Sequence, residues 1–139
     1  MEIVSAIIGV IIGAWLNNRI QWKINDIVKN LDDFADVVFI IQFYLLKNPE
    51  NKKAYQETYV NALASFVKIQ NIVSGEVELD KIAKVTFENI NCYNKNQLEP
   101  NNRKLLEESL DKLHICIHNT RREVTTFCYM LKQLYTCIQ

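Results

Sequence analysis

The stretch IVSAIIGVIIGAWL, from Ile3 to Leu16, contains no charged side chain and a single polar one, Ser5. An uninterrupted apolar run of this kind is typical of a helix in a bilayer or in a protein core. Gly9 and Gly13 lie four residues apart and share one helix face, with Ser5 one turn before them. Small residues at this spacing let two helices approach closely in lipid. The stretch therefore predicts a membrane helix that packs against a copy of itself through Ser5, Gly9 and Gly13.

The strictly apolar run is short for a membrane span, because about 14 helical residues cover only about 21 Å. Extending it to Trp22 adds Asn17, Asn18 and Arg19, whose polar ends can reach the membrane interface. A secretory signal would have a basic start and a small-residue cleavage site, and this sequence has neither. We therefore predict an uncleaved transmembrane anchor over residues 1–22. In an oligomer, Asn17, Asn18 and Arg19 would form a polar ring at the mouth of a pore or interface.

The charges that flank the apolar run predict its orientation. No Lys or Arg precedes the run, whereas Arg19, Lys23 and Lys29 follow it. Because Lys and Arg mark the cytoplasmic flank of a span, we expect the N-terminus outside and the rest of the chain in the cytoplasm, at the inner (plasma) membrane. The four cysteines show no C-x-x-C spacing, as expected for free thiols in a reducing compartment.

Residues 23–139 predict one α-helical bundle domain. The whole chain has three glycines and two prolines, too few turn residues for many short elements. Between breaks at 48–49, 74–75 and 97–102, apolar residues recur every three or four positions. We predict an all-α protein in which a single N-terminal transmembrane helix continues into a cytoplasmic up-and-down four-helix bundle. Asn102 is the predicted N-cap of the last helix, and a bend in the first helix near residues 30–33 is left open.

We call the row of apolar residues along one face of a helix its seam. The seams of the first and last helices are the most regular. The face that carries the two glycines continues through Leu16, Ile20 and Ile24, with two successive steps of four that form a stutter. The last helix is predicted to be continuous, with this seam: Leu106, Leu110, Leu113, Ile117, Thr120, Val124, Phe127, Leu131, Leu134 and Ile138. Six phenylalanines are predicted core residues: Phe34, Phe39, Phe43, Phe66, Phe87 and Phe127.

The last helix also carries the candidate ligand site. We define its basic stripe as Arg103, Lys104, His114, His118, Arg121 and Arg122. Guanidinium and imidazole groups donate hydrogen bonds to phosphate, so the stripe predicts an anionic nucleotide as ligand. Because Glu107, Asp111 and Glu123 lie close to it in sequence, a solvated face of mixed charge is the alternative.

Other chemistry is poorly represented. His114 and His118 have a spacing that zinc can use, but no Glu follows His114 as the metalloprotease motif requires. No glycine-rich phosphate loop is present, and the serines lie in ordinary helical or cap contexts. We therefore predict no metal, no cofactor and no enzymatic activity. The net charge of zero argues against bulk DNA or RNA binding.

Three functional hypotheses follow. The first is a membrane effector, whose anchors homo-oligomerise and whose bundle senses a cytoplasmic signal and perturbs or permeabilises the membrane. Prokaryotic phage-defence effectors gated by cyclic oligonucleotides have a similar architecture, which is an analogy of architecture alone. The second is a membrane-tethered scaffold that recruits a protein partner through an exposed apolar face near Ile115 and Tyr129. The third is a soluble helical assembly in which the first segment is core.

Overall fold

The computed structural model describes residues 1–47 and 50–138, without the side chains of residues 127, 128, 137 and 138. Within these ranges it has no strand and five helices. They are α1 (Glu2–Leu46), α2 (Lys52–Ile72), α3 (Val77–Lys95), α4 (Pro100–Val124) and α5 (Phe127–Ile138). The all-α prediction is confirmed. The predicted break at Asn48–Pro49 and the side chains of Phe127 and Ile138 in the predicted seam lie outside the described part.

Helix α1 runs for 45 residues without interruption, including residues 30–33, and is about 68 Å long. Its second half supplies the centre of the core through Leu31, Phe34, Val38 and Ile41, which are fully buried. These residues follow the predicted steps of three and four, so one stripe of α1 faces the rest of the helical body.

The helical body forms around α1 and α4. Helix α1 packs against α2 and α4, and α3 packs against α4. All four helices contribute to one hydrophobic cluster. The Phe66 ring of α2 meets Phe34 of α1 edge-on at 5.0 Å between centroids and stacks on Phe87 of α3 at 5.8 Å. Phe39, by contrast, is 57 % exposed, so the prediction that it belongs to the core is wrong.

The start of α4 differs from the prediction. Helix α4 begins at Pro100, a residue that suits the first helical position because its missing N–H has no intrahelical partner there. Asn102 therefore lies inside the first turn and is not the N-cap. Its amide instead donates to the carbonyl oxygens of Cys92 and Asn96, at distances of 3.4 and 3.2 Å. Asn102 thus ties the start of α4 to the end of α3.

The predicted continuous last helix is divided into α4 and α5. The Thr125 and Thr126 hydroxyls donate to the carbonyl oxygens of Arg122 and Glu123, and Thr126 Oγ1 also accepts from the backbone N–H of Tyr129. Hydroxyls that bond the backbone in this way compete with the helical hydrogen bonds and end one helix while capping the next. The buried face then changes: Leu131 is 48 % exposed and Gln133 is buried. The predicted seam position of Leu131 is therefore wrong.

The N-terminal part of α1, residues 2–19, stands apart from the body. Among the described residues, α1 is the one helix that is long and apolar enough to span a membrane, a property shared by signal sequences and by core helices of soluble proteins. Only 6 % of its most apolar window is buried by the rest of the chain. The helical body of the same copy therefore does not cover this segment.

Candidate functional site

Two arginines of the basic stripe join α4 to α1. Arg103 Nη2 donates to the carbonyl oxygen of Leu46, at the end of α1, at 3.3 Å, and its Nε donates to Glu107 at 3.0 Å. Arg121 Nε donates to Asp32 Oδ1 of α1 at 2.7 Å. The two arginines lie about 27 Å apart along α4. A single small ligand therefore cannot contact both guanidinium groups.

The other members of the stripe differ in environment. Lys104 lies 4.0 Å from Glu108 on the exposed face of α4. His118 and Arg122 are exposed, whereas His114 is half-buried. Burial lowers the pKa of His114 below its ordinary value, and the nearby Asp111 carboxylate acts weakly in the opposite direction. Because the imidazolium form of His114 is disfavoured, His114 contributes little positive charge towards an anion near neutral pH.

The stripe therefore forms a helix face of mixed charge that also cross-links two helices. Arg122 lines an open groove of about 380 Å³ with Asn119, Glu123 and Thr126, where Glu123 brings a carboxylate beside the guanidinium. Nucleotide binding by the stripe stays a prediction. The structure adds that two of its arginines already have partners in α1.

The small-residue face of α1 is free along its whole length in the single chain. Ser5, Gly9 and Gly13 are exposed, and nothing lies within 4 Å of the position that a Cβ atom would take on either glycine. The Ser5 hydroxyl donates to the carbonyl oxygen of Glu2 within the same helix, so its polar group is satisfied without a partner helix. The face is therefore sterically open to a second helix.

The three residues of the predicted polar ring follow this face along α1, and because they are consecutive they point about 100° apart around the helix. Asn17, Asn18 and Arg19 are exposed on α1. The Arg19 guanidinium lies over the Trp15 ring, 5.2 Å from its centroid. This cation–π contact holds the charge at the end of the apolar run. A ring requires several copies of the chain, so it too stays a prediction.

A cavity that sequence reasoning missed lies where α1 leaves the helical body. We call it the junction cavity. It measures about 370 Å³, and its polar lining includes Lys23, Asp26, Glu76, Tyr129, Lys132 and Gln133. It lies between α1, the turn that connects α2 to α3, and α5. The sequence predicted one continuous last helix and therefore no such cavity. Helix α5 reaches this position only after the break at Thr125–Thr126.

Two polar side chains of α5 line the junction cavity, half-buried Tyr129 and buried Gln133. The Tyr129 hydroxyl donates to Glu76 Oε1 at 2.8 Å. Burial raises the pKa of Tyr129, as does the Glu76 carboxylate that accepts its hydrogen bond. Gln133 is only 8 % exposed, and its Oε1 accepts no hydrogen bond from the described residues. A buried acceptor without a donor costs about 1–3 kcal/mol, so this position favours a molecule that brings a donor.

The groove between α3 and α4 is the second surface that could bind a partner. It includes a cavity of about 350 Å³ with Ile82 and Ile115 in its wall, and Ile115 is 62 % exposed. Cys116 also lines it as a free thiol, and burial raises the pKa of this thiol. Tyr129 is half-buried and bonded to Glu76, so the apolar face predicted around Ile115 and Tyr129 is reduced to Ile115 and its neighbours.

In the described part of the chain, no three His, Cys, Asp or Glu side chains are grouped so as to hold a metal ion. No protein-family profile, curated protein or solved structure matches this chain.

Proposed function

We propose that the protein is a small single-pass membrane effector. In this proposal residues 1–22 of α1 cross the inner membrane, the N-terminus lies outside, and α1–α4 form a four-helix bundle in the cytoplasm with α5 attached. The observation that carries the proposal is the continuity of α1. One unbroken helix joins an apolar segment that its own chain leaves uncovered to residues at the centre of the core.

Continuity of this kind supports a mechanical role. An α-helix transmits rotation and translation along its axis, so a shift of the bundle core moves the apolar segment as well. The open face of Ser5, Gly9 and Gly13 provides a surface for homo-oligomers in lipid. Asn17, Asn18 and Arg19 would then surround the cytoplasmic mouth, where polar side chains favour entry of water and perturbation of the bilayer.

The trigger in this proposal is an anionic cytoplasmic ligand that competes with Asp32 for Arg121. The two side chains are about half-exposed, and ion pairs of this kind contribute only about 0.2–1 kcal/mol. A phosphate group could therefore replace the carboxylate at little cost and release α4 from α1. A cyclic nucleotide of the phage-defence type is the ligand suggested by the analogy of architecture.

Expression in bacteria tests the effector proposal. We expect the protein to stay in the membrane fraction after alkaline carbonate and to admit a membrane-impermeant dye when cyclic dinucleotides are supplied. Gly9→Leu and Gly13→Leu should abolish dye entry without releasing the protein from the membrane, because Leu prevents close helix approach. Ile7→Leu and Ile11→Leu are matched controls on the opposite face of α1 and should keep dye entry. A protein released by carbonate, or dye entry that stays at baseline with every nucleotide, refutes the proposal.

The exposed groove between α3 and α4 favours a second candidate, a membrane-tethered scaffold without a ligand. Exposed Ile115 beside Ile82 gives an apolar surface that a partner protein could cover. The test is capture of partners by the wild type and by Ile115→Glu. One stoichiometric protein that is lost with Ile115→Glu supports the scaffold, and identical capture by both proteins contradicts it.

A further inference from the structure

The chemistry of the junction cavity points to a ligand with two opposite charges. Lys23 and Lys132 provide two cations, and Asp26 and Glu76 provide two carboxylates, so the charges of the lining balance. Glu76 already accepts a hydrogen bond from the Tyr129 hydroxyl. The groups that remain are Lys23, Lys132 and Asp26. They match a molecule that carries an anionic group next to a cationic group with hydrogen-bond donors.

The unpartnered Gln133 Oε1 narrows this choice. An amide oxygen can only accept hydrogen bonds, so it needs a ligand with N–H or O–H groups. A quaternary ammonium has the same charge as a primary ammonium but offers no N–H donor. The lining thus favours a primary ammonium over a trimethylated one.

The place of the cavity in the fold identifies where such a molecule comes from. Lys23 directly follows Trp22, the last residue of the proposed anchor, so the cavity opens at the predicted membrane interface. Trp22 on α1 and Tyr135 on α5 are both exposed at this end of the molecule. Exposed Trp and Tyr rings are typical of the headgroup layer.

We propose that the junction cavity binds the phosphoethanolamine headgroup of a membrane lipid. The phosphate contacts Lys23 and Lys132, and the primary ammonium donates to Asp26 and to Gln133 Oε1. A cavity of about 370 Å³ lies within the size range of small-ligand sites. This inference rests on the proposed insertion of α1 into the membrane.

Tryptophan quenching by brominated lipids tests it on the full-length protein in vesicles. The chain has two tryptophans, so a Trp15→Phe background leaves Trp22, beside the cavity, as the single reporter. Vesicles of phosphatidylcholine contain a minor fraction of brominated phosphatidylethanolamine, phosphatidylcholine or phosphatidylglycerol. We expect brominated phosphatidylethanolamine to be enriched about fivefold around Trp22 relative to brominated phosphatidylcholine, the factor expected for one added hydrogen bond.

Variants of the cavity and of the far end of the body complete the experiment. Lys23→Ala with Lys132→Ala, and separately Gln133→Leu, should bring the enrichment to about one. Lys53→Ala with Lys95→Ala removes two exposed charges at the opposite end of the body and should leave it unchanged. Circular dichroism of each variant shows whether the helical body is intact. Free phosphoethanolamine in the aqueous phase, at the same total concentration as the brominated lipid, should leave the enrichment unchanged, because the lipid is concentrated at the vesicle surface.

The outcomes separate this inference from the proposed function. Absence of quenching by every brominated lipid refutes insertion and the lipid site together. Quenching that is equal for phosphatidylethanolamine and phosphatidylcholine supports insertion of α1 into the membrane but refutes the headgroup site in the junction cavity. Preference for phosphatidylglycerol overturns the requirement for an ammonium group. Loss of the enrichment on addition of free phosphoethanolamine assigns the cavity to a soluble ligand and overturns the lipid source.

Discussion

Replacement of Phe66 by Ala should be among the most damaging single changes to the helical body. The Phe66 side chain is fully buried, and its ring contacts Phe34 of α1 and Phe87 of α3. Truncation of a buried Phe to Ala costs about 3–5 kcal/mol, of which two aromatic pairs account for about 1–2 kcal/mol. A body of about 116 residues has a free energy of unfolding of about 6–17 kcal/mol. Phe66→Ala should therefore remove between about a fifth and four-fifths of it.

Urea unfolding of the detergent-solubilised full chain, followed by circular dichroism at 222 nm, measures this loss. Phe66→Leu restores most of the volume but not the ring contacts, so it should cost only about 1–2 kcal/mol. Phe39→Ala is the matched control, since Phe39 is exposed and its truncation should change the stability by no more than about 0.5 kcal/mol. A loss below 1 kcal/mol for Phe66→Ala, or an equal loss for Phe39→Ala, would refute the packing described above.

Three further predictions concern charge and capping. Because burial lowers the folded-state pKa of His114 below 6.5, the unfolded chain binds its proton more readily, and stability should fall as the pH drops below about 6.5. In thermal melts recorded at several pH values, His114→Gln should reduce this loss of stability. The same substitution at the exposed residue His118 should not reduce it. Thr126→Ala should weaken α5 by about 0.5–2 kcal/mol, seen as faster amide hydrogen exchange in α5 alone. A double-mutant cycle with Arg121→Ala and Asp32→Ala should give a coupling of about 0.2–1 kcal/mol that is screened at high salt.

Apolar periodicity predicted α1, α2 and α3 to within a few residues at most ends. Periodicity reports which residues face a core, and the buried residues Ile20, Ile24 and Leu113 all lie at predicted seam positions. Apolar periodicity did not predict the division between α4 and α5. The apolar spacing from Val124 to Phe127 fits an unbroken helix, and the competing signal is a pair of threonine hydroxyls whose effect depends on local hydrogen bonds.

The candidate site was less predictable than the fold. Residue type and spacing identified a basic stripe, but the partner of Arg121 is Asp32, 89 residues away, and only the packing of α4 on α1 brings them together. The junction cavity had no sequence signal of comparable strength. Gln133 is a polar residue that sequence patterns assign to a surface, and it is buried because the break before α5 changes which face turns inward.

The position of α5 connects the helical body to the small-residue face of α1 in the proposed mechanism. Ile20 and Ile24 of α1 are buried, and they lie past the point where Arg121 meets Asp32 near the end of α4. Helix α5 continues from there and packs against α1, so we infer that it covers this part of the helix. At 100° per residue, Gly13, Ile20 and Ile24 lie within about 40° of one another around α1.

The small-residue face of the anchor and the face covered by α5 are therefore the same face, one above the other. A second copy that packs on Gly9 and Gly13 meets α5 as soon as the contact extends below Arg19. In the proposed mechanism, association of the anchors and docking of α5 would therefore compete for one side of α1, and loosening of α5 would favour association. A lipid headgroup bound in the junction cavity would hold α5 against α1 and so oppose association of the anchors. In the proposed mechanism, the break at Thr125–Thr126, which no apolar pattern predicted, would allow the helical body to control contacts inside the membrane.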